Sequence, residues 1–396
     1  MKSLDKSVQA AFRKANAPGS ATKAEVEADA APSRPREIVT PDSIQYRAML
    51  PEDAFEVARC FYRTYGFTAP IADEVIYHPE KCAERVRTGL HLGTVASLPD
   101  GRIVGHIAVT REHLDDPVGI SGFLVVDPEL RGHGIADRLS DTKPNLARTA
   151  GIRALLGMAV TVHTASQKTC LREGGHEVGV LLAAQEDRVL MRGIAVNARQ
   201  ERHAIIPFFT QLAFDIEQPS FPPACYRAIA EYIYQACGLK RRIGEAPPLD
   251  PAALPKRTTL SVAVMEGARF ARIRVAVYGQ DFLSEILHMV EDLHTHHVRV
   301  IRLEMPLSEP LTARFGNAIE HLGFSFASIF PAMEPGDLLC LQSIDRIAVD
   351  PTVIQVASDH GATVLKAVLE SRERMLVLTA GRTLAGAMDA LLKNTP

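Results

Sequence analysis

One stretch limits this chain more than any other: Val125-Val126-Asp127-Pro128-Glu129-Leu130-Arg131-Gly132-His133-Gly134-Ile135-Ala136-Asp137-Arg138-Leu139. The apolar run from Ile120 to Val126, broken only by Ser121 and Gly122, reads as a strand. Asp127-Pro128 ends it, because proline lacks an N–H and restricts the residue before it. From Ile135 the spacing turns helical, with Ile135, Leu139 and Leu146 as core positions. The loop between leaves backbone N–H groups unpaired at the start of a helix, where the partial charge is positive and suits an anion, above all a phosphate. Gly132 and Gly134 carry no Cβ, so the backbone can turn sharply and a phosphate can come close. Neither common nucleotide motif is present: there is no GxxxxGK[ST], and no GxGxxG follows the strand.

At 396 residues the chain has room for two or three domains. A hydrophobic share of 46% and a charged share of 23% are those of a globular protein. The net charge of −3 gives no electrostatic reason for a nucleic-acid or anionic-membrane partner. No apolar run reaches the length of a membrane span, and the N-terminus has no signal-like apolar core. Six scattered cysteines without a CxxC pair fit reduced thiols in the cytoplasm better than disulfides or a zinc site.

Residues 1–43 are rich in Ala, Lys, Glu, Ser and Pro and read as a disordered arm. A strand at 44–47, helices at 53–65 and 80–90, and a hairpin 92–98/102–109 turning at Pro99-Asp100-Gly101 follow. The helix from 134 to 150 holds Pro144, which should kink or shorten it. A strand at 154–162, a helix at 165–173 and a closing strand at 178–183 complete a first domain, 44–194. The pattern then partly repeats: a helix at 224–237, strands at 260–265 and 271–278, a helix at 281–294, a strand at 298–306, a helix at 313–322, and strands at 326–330 and 338–341. Residues 151–175 and 297–323 both run strand, helix, glycine, strand, which indicates an internal duplication. The second domain is therefore 195–345, and residues 346–396 form a tail with short helices near 359–374 and 382–393.

Arg131, Gly134 and Ala136, after a strand ending Val-x-Pro, resemble the acyl-CoA loop of the GNAT acetyltransferase superfamily, Arg or Gln, two residues, Gly, one residue, Gly or Ala. The start Ile44-x-Tyr46-Arg47 with its acidic pair Glu52-Asp53, and the glycine at 175, agree with that family, although His176 stands where phenylalanine is usual. The resemblance covers 44–190 well and 200–342 loosely. It implies an α/β fold in α+β layers: two GNAT-like domains, each a mixed, mostly antiparallel sheet flanked by helices. It also implies an N-acyltransferase carrying acetyl from acetyl-CoA to an unknown amine; the cysteine and histidine spacing adds the expectation of a cytoplasmic protein without a metal. The loop N–H groups of Arg131, Gly132, His133, Gly134, Ile135 and Ala136 would hold the pyrophosphate, and the strand edge at Leu124, Val125 and Val126 would pair with the pantetheine. The second copy has a single glycine around Val277-Tyr278-Gly279-Gln280-Asp281, and is expected to bind no CoA and to cover or complete the first site.

Acyl transfer needs a base for the amine, donors for the thioester carbonyl and an acid for the thiolate. The family's usual acid, a tyrosine, would stand at Leu171, which cannot donate. Nearby groups are His163, Ser166, Cys170 and His176. His163 titrates near neutrality and is the first candidate for proton transfer, its alternative being a helix cap. Cys170 is the second, its alternative a buried apolar contact. Ser166 either bonds the pantetheine amides or faces solvent. Tyr62 and Tyr65 line an acceptor pocket or the core. His294-Thr295-His296-His297 lacks a partner at ligand spacing and reads as a polar helix end. A different class also fits the loop: a non-catalytic module that binds acetyl-CoA and regulates a partner protein.

Overall fold

The first half builds outward from an antiparallel meander in a computed structural model that describes residues 43–66, 75–186, 201–246, 248, 251–333 and 336–380. β1 (Gln45–Ala48), β2 (His91–Ser97), β3 (Ile103–Thr110) and β4 (Val118–Val126) pair in that order, all antiparallel. Helix α1 (Ala54–Tyr65) lies on one face because Ala54, Val57, Cys60, Phe61 and Thr64 recur at helical spacing and are buried. Helix α2 (Pro79–Arg87) follows it. The chain then crosses through α3 (Ile135–Ser140) and α4 (Lys143–Thr149) to β5 (Ala154–Val160), which is parallel to β4. Pro144 sits in the first turn of α4, where its missing N–H is harmless, so the expected break appears as two helices. Helix α5 (Ala165–Arg172) leads on to β6 (His176–Glu177) and β7 (Leu181–Glu186).

The closing strand expected at 178–183 appears as β7, but it does not pair with β5. β8 (Arg202–Gln211) inserts between β5 and the β6–β7 pair and bonds to all three. Its Pro207 makes the segment read poorly as a central strand, and its pairing carries the first sheet past residue 194. The first sheet ends at Gln211.

After a small parallel pair, β9 (Gln218–Ser220) and β10 (Arg241–Ile243), with α6 (Arg227–Ala236) between them, a second sheet forms. It comprises β11 (Thr259–Met265), β12 (Phe270–Val277), β13 (Val300–Pro306), β14 (Ser325–Phe330) and β15 (Leu338–Ile344), in the order β11-β12-β13-β15-β14. Helix α7 (Phe282–Thr295) joins β12 to β13, and α8 (Pro310–Glu320) joins β13 to β14. Across this sheet the pairings run antiparallel, parallel, antiparallel, antiparallel. The run from β3 through β4, β5 and β8 to β6 has the same four pairings in the same order.

One core spans both sheets, joining Leu156 and Phe208 of the first to Phe326 and Leu341 of the second. Gly179 bridges Ser328 directly, and Leu182 donates its N–H to Gln342 Oε1. The described residues from 44 onward accordingly form one compact unit. Among the described residues the tail carries one α-helix, α9 (Asp359–Thr379), capped by Ser358 and buried along Val364, Val368, Ser371 and Met375. It runs past the expected end at 374 because this stripe continues onto β14, where Ser371 Oγ accepts from the Phe326 N–H. The expected helix at 382–393 and the arm before residue 43 lie outside the described residues.

Candidate functional site

β4 and β5 pair only from Val118↔Ala154 to Ser121↔Gly157. Beyond those pairs β4 continues to Val126, held on its far side by β3, while β5 continues to Val160, held by β8. The two strands therefore part, and the sheet opens between them. The parting begins beside an irregularity: Phe123 and Leu124 together oppose the single residue Ile107, and Phe123 has φ +56°. A bulge of this kind bends its strand. An aromatic residue at positive φ is strained, so the surrounding packing must enforce it.

At the mouth of the opening lies the loop 127–134. Asp127 fixes its start: Oδ1 accepts from the Glu129 N–H at 3.3 Å and Oδ2 from Arg63 Nε at 2.8 Å. Arg63 also donates to the Ile103 carbonyl, which ties the end of α1 to the loop. Gly132 and Gly134 have φ +83° and +72°, which other residues adopt only with strain, and a Cβ at either would meet nothing within 4 Å. Among the described residues, none accepts from the N–H groups of Gly132, His133, Gly134, Ile135 or Ala136. The imidazole of His133 bonds through Nδ1 to the Leu130 and Arg131 carbonyls. This open cradle of N–H donors suits an anion.

The other expected residues scatter. Tyr65 packs beside Phe61 at the end of α1; burial raises its phenol pKa, and the nearby Arg131 opposes that rise. Tyr62 is 47% exposed. His163 caps α5: its Nδ1 accepts from the Ala165 N–H at 3.3 Å, which puts the proton of the neutral ring on Nε2, and burial lowers its pKa. Ser166 Oγ is buried without a partner among the described residues, an unmet hydrogen-bonding group on the first turn of α5. Leu171 packs against the shared core.

Cys170 does not look like an active thiol. Its sulfur lies 3.4 Å from where a Cβ of Gly157 would stand, and burial pushes its pKa to about 11, so it is a protonated packing group. His176 meets His360 of the tail helix edge-on, with ring centroids 6.2 Å apart. His294–His297 ends α7 as a polar cap, and no group of metal-binding side chains occurs among the described residues.

The sequence reading missed a histidine pair on the hairpin. His91 and His106 are 3% and 0% exposed, with their Nε2 atoms 3.2 Å apart. Burial pushes their pKa values down to about 3 and about 4. The available signal was a polar residue at a core-facing position on each of two adjacent strands.

The segment expected to stand in for this loop in the second half, 277–281, is closed. The Gly279 N–H donates to Thr258 Oγ1, the Gln280 N–H to the Pro255 carbonyl, and Asp281 Oδ1 accepts from the Thr258 N–H. A Cβ on Gly279 would stand 2.3 Å from Arg257.

Residues 56–174 match the acetyltransferase (GNAT) family. No curated protein matches the sequence at a significant level. Among solved structures, the chain is similar to an N-acetyltransferase from Staphylococcus aureus Mu50 at 15% identity, over 43% of this chain and 98% of that one, with a TM-score of 0.34. It is similar to an acetyltransferase of the GNAT family from Streptococcus pneumoniae at 16% identity, over 42% and 99%, with a TM-score of 0.34. It is also similar to yncA from Salmonella typhimurium, solved with its cofactor acetyl-CoA, at 12% identity, over 43% and 95%, with a TM-score of 0.35.

Proposed function

With residues 56–174 a GNAT acetyltransferase domain, we propose that the chain is an acyl-CoA-dependent N-acyltransferase, taking acetyl from acetyl-CoA to an amine. The observation that carries this reading is the open N–H cradle at 132–136 at the mouth of the parted β4 and β5. These N–H groups would bind the pyrophosphate, with Arg131 adding positive charge. The free edge of β4 at Leu124, Val125 and Val126 would pair with the amides of the pantetheine, as a strand pairs with an added strand. The unmet Ser166 Oγ supplies one more bond beside β5. Bound acetyl-CoA supplies the activated thioester. Tyr62, exposed at the end of α1, is the residue we assign to the acceptor side.

Because Leu171 cannot donate, we assign the departing sulfur's partner to His163, which follows the strand bordering the opening and whose Nε2–H can hydrogen-bond the thiolate until the proton released by the amine neutralises it. Arg131→Ala should matter less than loss of the backbone donors. The second half is, on this reading, a degenerate GNAT-like repeat that binds no CoA, and the chain is a tandem with one cleft. Among the described residues no helix is long and apolar enough to cross a membrane.

The experiment is a calorimetric titration of the whole chain with acetyl-CoA, followed by a free-thiol assay with a panel of amines. We expect one acetyl-CoA per chain and CoA release with at least one amine. No binding overturns the reading. Two sites per chain overturn the single cleft. Binding without release from any amine favours a non-catalytic acetyl-CoA-binding module, for which the apolar Leu171 is the supporting feature.

A further inference from the structure

The buried histidine pair has no place in the chemistry above, yet it touches the point where the sheet parts. His106 Nδ1 lies 3.0 Å from the Phe123 carbonyl, the carbonyl of the bulge. A carbonyl only accepts, so Nδ1 carries the proton and, in the neutral ring, Nε2 of His106 is an acceptor. Across 3.2 Å, His91 must then donate from its own Nε2. The contact chain runs His91 Nε2–H to His106 Nε2, then His106 Nδ1–H to the Phe123 oxygen, and it fixes both tautomers.

The surroundings hold this arrangement in place. Phe61 meets the His106 ring edge-on at 5.9 Å, and the Phe123 ring lies 5.7 Å from His91. Gly93 leaves room for the imidazole, since a Cβ there would stand 3.1 Å from His106 Nε2 and 2.9 Å from Met49. The charged groups acting on the pair are Asp53 on His106 and Arg85 on His91.

The bulge begins at Phe123, two residues after Ser121, the last residue of β4 that pairs with β5. We propose that His106, with its tautomer set by His91, is a positioning residue for the opening: it holds the Phe123 carbonyl out of the ladder and keeps β4 turned away from β5. Its importance for acetyl-CoA rests on the acyltransferase reading; its hold on the bulge does not. Without the bond, the Phe123 oxygen is left without its ring donor and the strained φ of Phe123 loses one of its restraints. β4 then relaxes toward β5 and the slot narrows.

Three proteins test this: the parent, His106→Phe, which keeps a flat ring without nitrogens, and His106→Asn, whose amide can reach the Phe123 carbonyl as Nδ1 does. Amide exchange of residues 122–126 is measured without ligand, and acetyl-CoA affinity by titration. We expect His106→Phe to speed exchange at 122–126 and to weaken acetyl-CoA by about tenfold each, the worth of one well-placed buried bond. Exchange at 300–306 should stay unchanged, and His106→Asn should restore most of both effects. Exchange at 122–126 equal to the parent's in His106→Phe overturns the proposal, as does loosening spread evenly over the chain or no rescue by His106→Asn. Imidazole 15N shifts of the parent need no variant: an Nε2–H tautomer for His106 also overturns it. A parent that binds no acetyl-CoA defeats the acyltransferase reading alone, because the exchange and tautomer measurements stand without ligand.

Discussion

Gly134 offers the sharpest test of the cradle, because folding and binding can be separated there. Its φ of +72° is left-handed, and a Cβ would meet no protein atom within 4 Å. Gly134→Ala and Gly134→Glu therefore carry the same backbone strain, about 1–2 kcal/mol, and neither clashes. The two variants differ only in what they place in the open space. A glutamate carboxylate about 6 Å from a bound phosphate, at an effective dielectric near 20, is opposed by about 2.8 kcal/mol. That is about a hundredfold in affinity, and screening by salt reduces it toward tenfold. Titration with acetyl-CoA should show Gly134→Glu ten- to a hundredfold weaker than the parent, with Gly134→Ala in between. Circular dichroism and melting curves should match for the two variants. A folded Gly134→Glu protein that binds as tightly as the parent would falsify the cradle, and the acyltransferase reading with it.

Asp127→Ala removes the carboxylate that holds both Arg63 and the start of the loop. Arg63 keeps 27% of its side chain exposed, so the loss should be near 2 kcal/mol rather than the full value of a buried pair, read as a lower denaturant midpoint with weaker acetyl-CoA binding; an unchanged midpoint would show that the tie is ornamental. The histidine pair makes the fold acid-sensitive. Above pH 6.5 the rings are neutral both folded and unfolded, and their packing counts in full. As pH falls from 6.5 toward 4, the unfolded chain takes up protons that the folded pair refuses, with pKa values about 3 and about 4, and stability drops by at most about 2.7 kcal/mol per pH unit for two protons. Denaturation midpoints measured at pH 7, 6 and 5 should decline in the parent and less steeply in His106→Asn, and a flat parent profile would contradict the buried neutral pair.

What the sequence disclosed follows from the range of the forces involved. The strand–loop–helix at 120–139 was legible because its signals are local: apolar run, proline, small residues, helical period. The break at Pro144 was legible for the same reason. β8 was not, since a proline in mid-strand argues locally against a central position, and only pairing with β5 and β7 at once overrides it. The Phe123 bulge was not legible either. Nothing in Gly122-Phe123-Leu124 announces a positive φ; the conformation depends on His106, 17 residues earlier. Cys170 and His163 could be named as candidates from proximity in sequence. Which of them faces solvent depends on how α5 rests on Gly157, and that is a packing outcome.

The two sheets share one order of pairings, yet the opening is free in the first and filled in the second. Both sheets set a parallel pair next to antiparallel neighbours, so in both the paired strands end before their outer partners do. In the first copy nothing among the described residues takes the loop donors at 132–136. In the second, residues 254–258 lie over the loop and take the corresponding donors at 279 and 280. An aspartate at 281 also stands at the start of α7, where a phosphate would need a neutral or positive group. The gap between β12 and β13 is filled as well. Tyr278, 4% exposed, bonds through its hydroxyl to Thr312 Oγ1 at 2.7 Å, and Thr312 donates to the Pro306 carbonyl at the end of β13. Phe282 and Phe315 pack on the Tyr278 ring. A filled gap of this kind buries aromatic surface that an open one leaves wet, and so adds stability where the first copy gives it up.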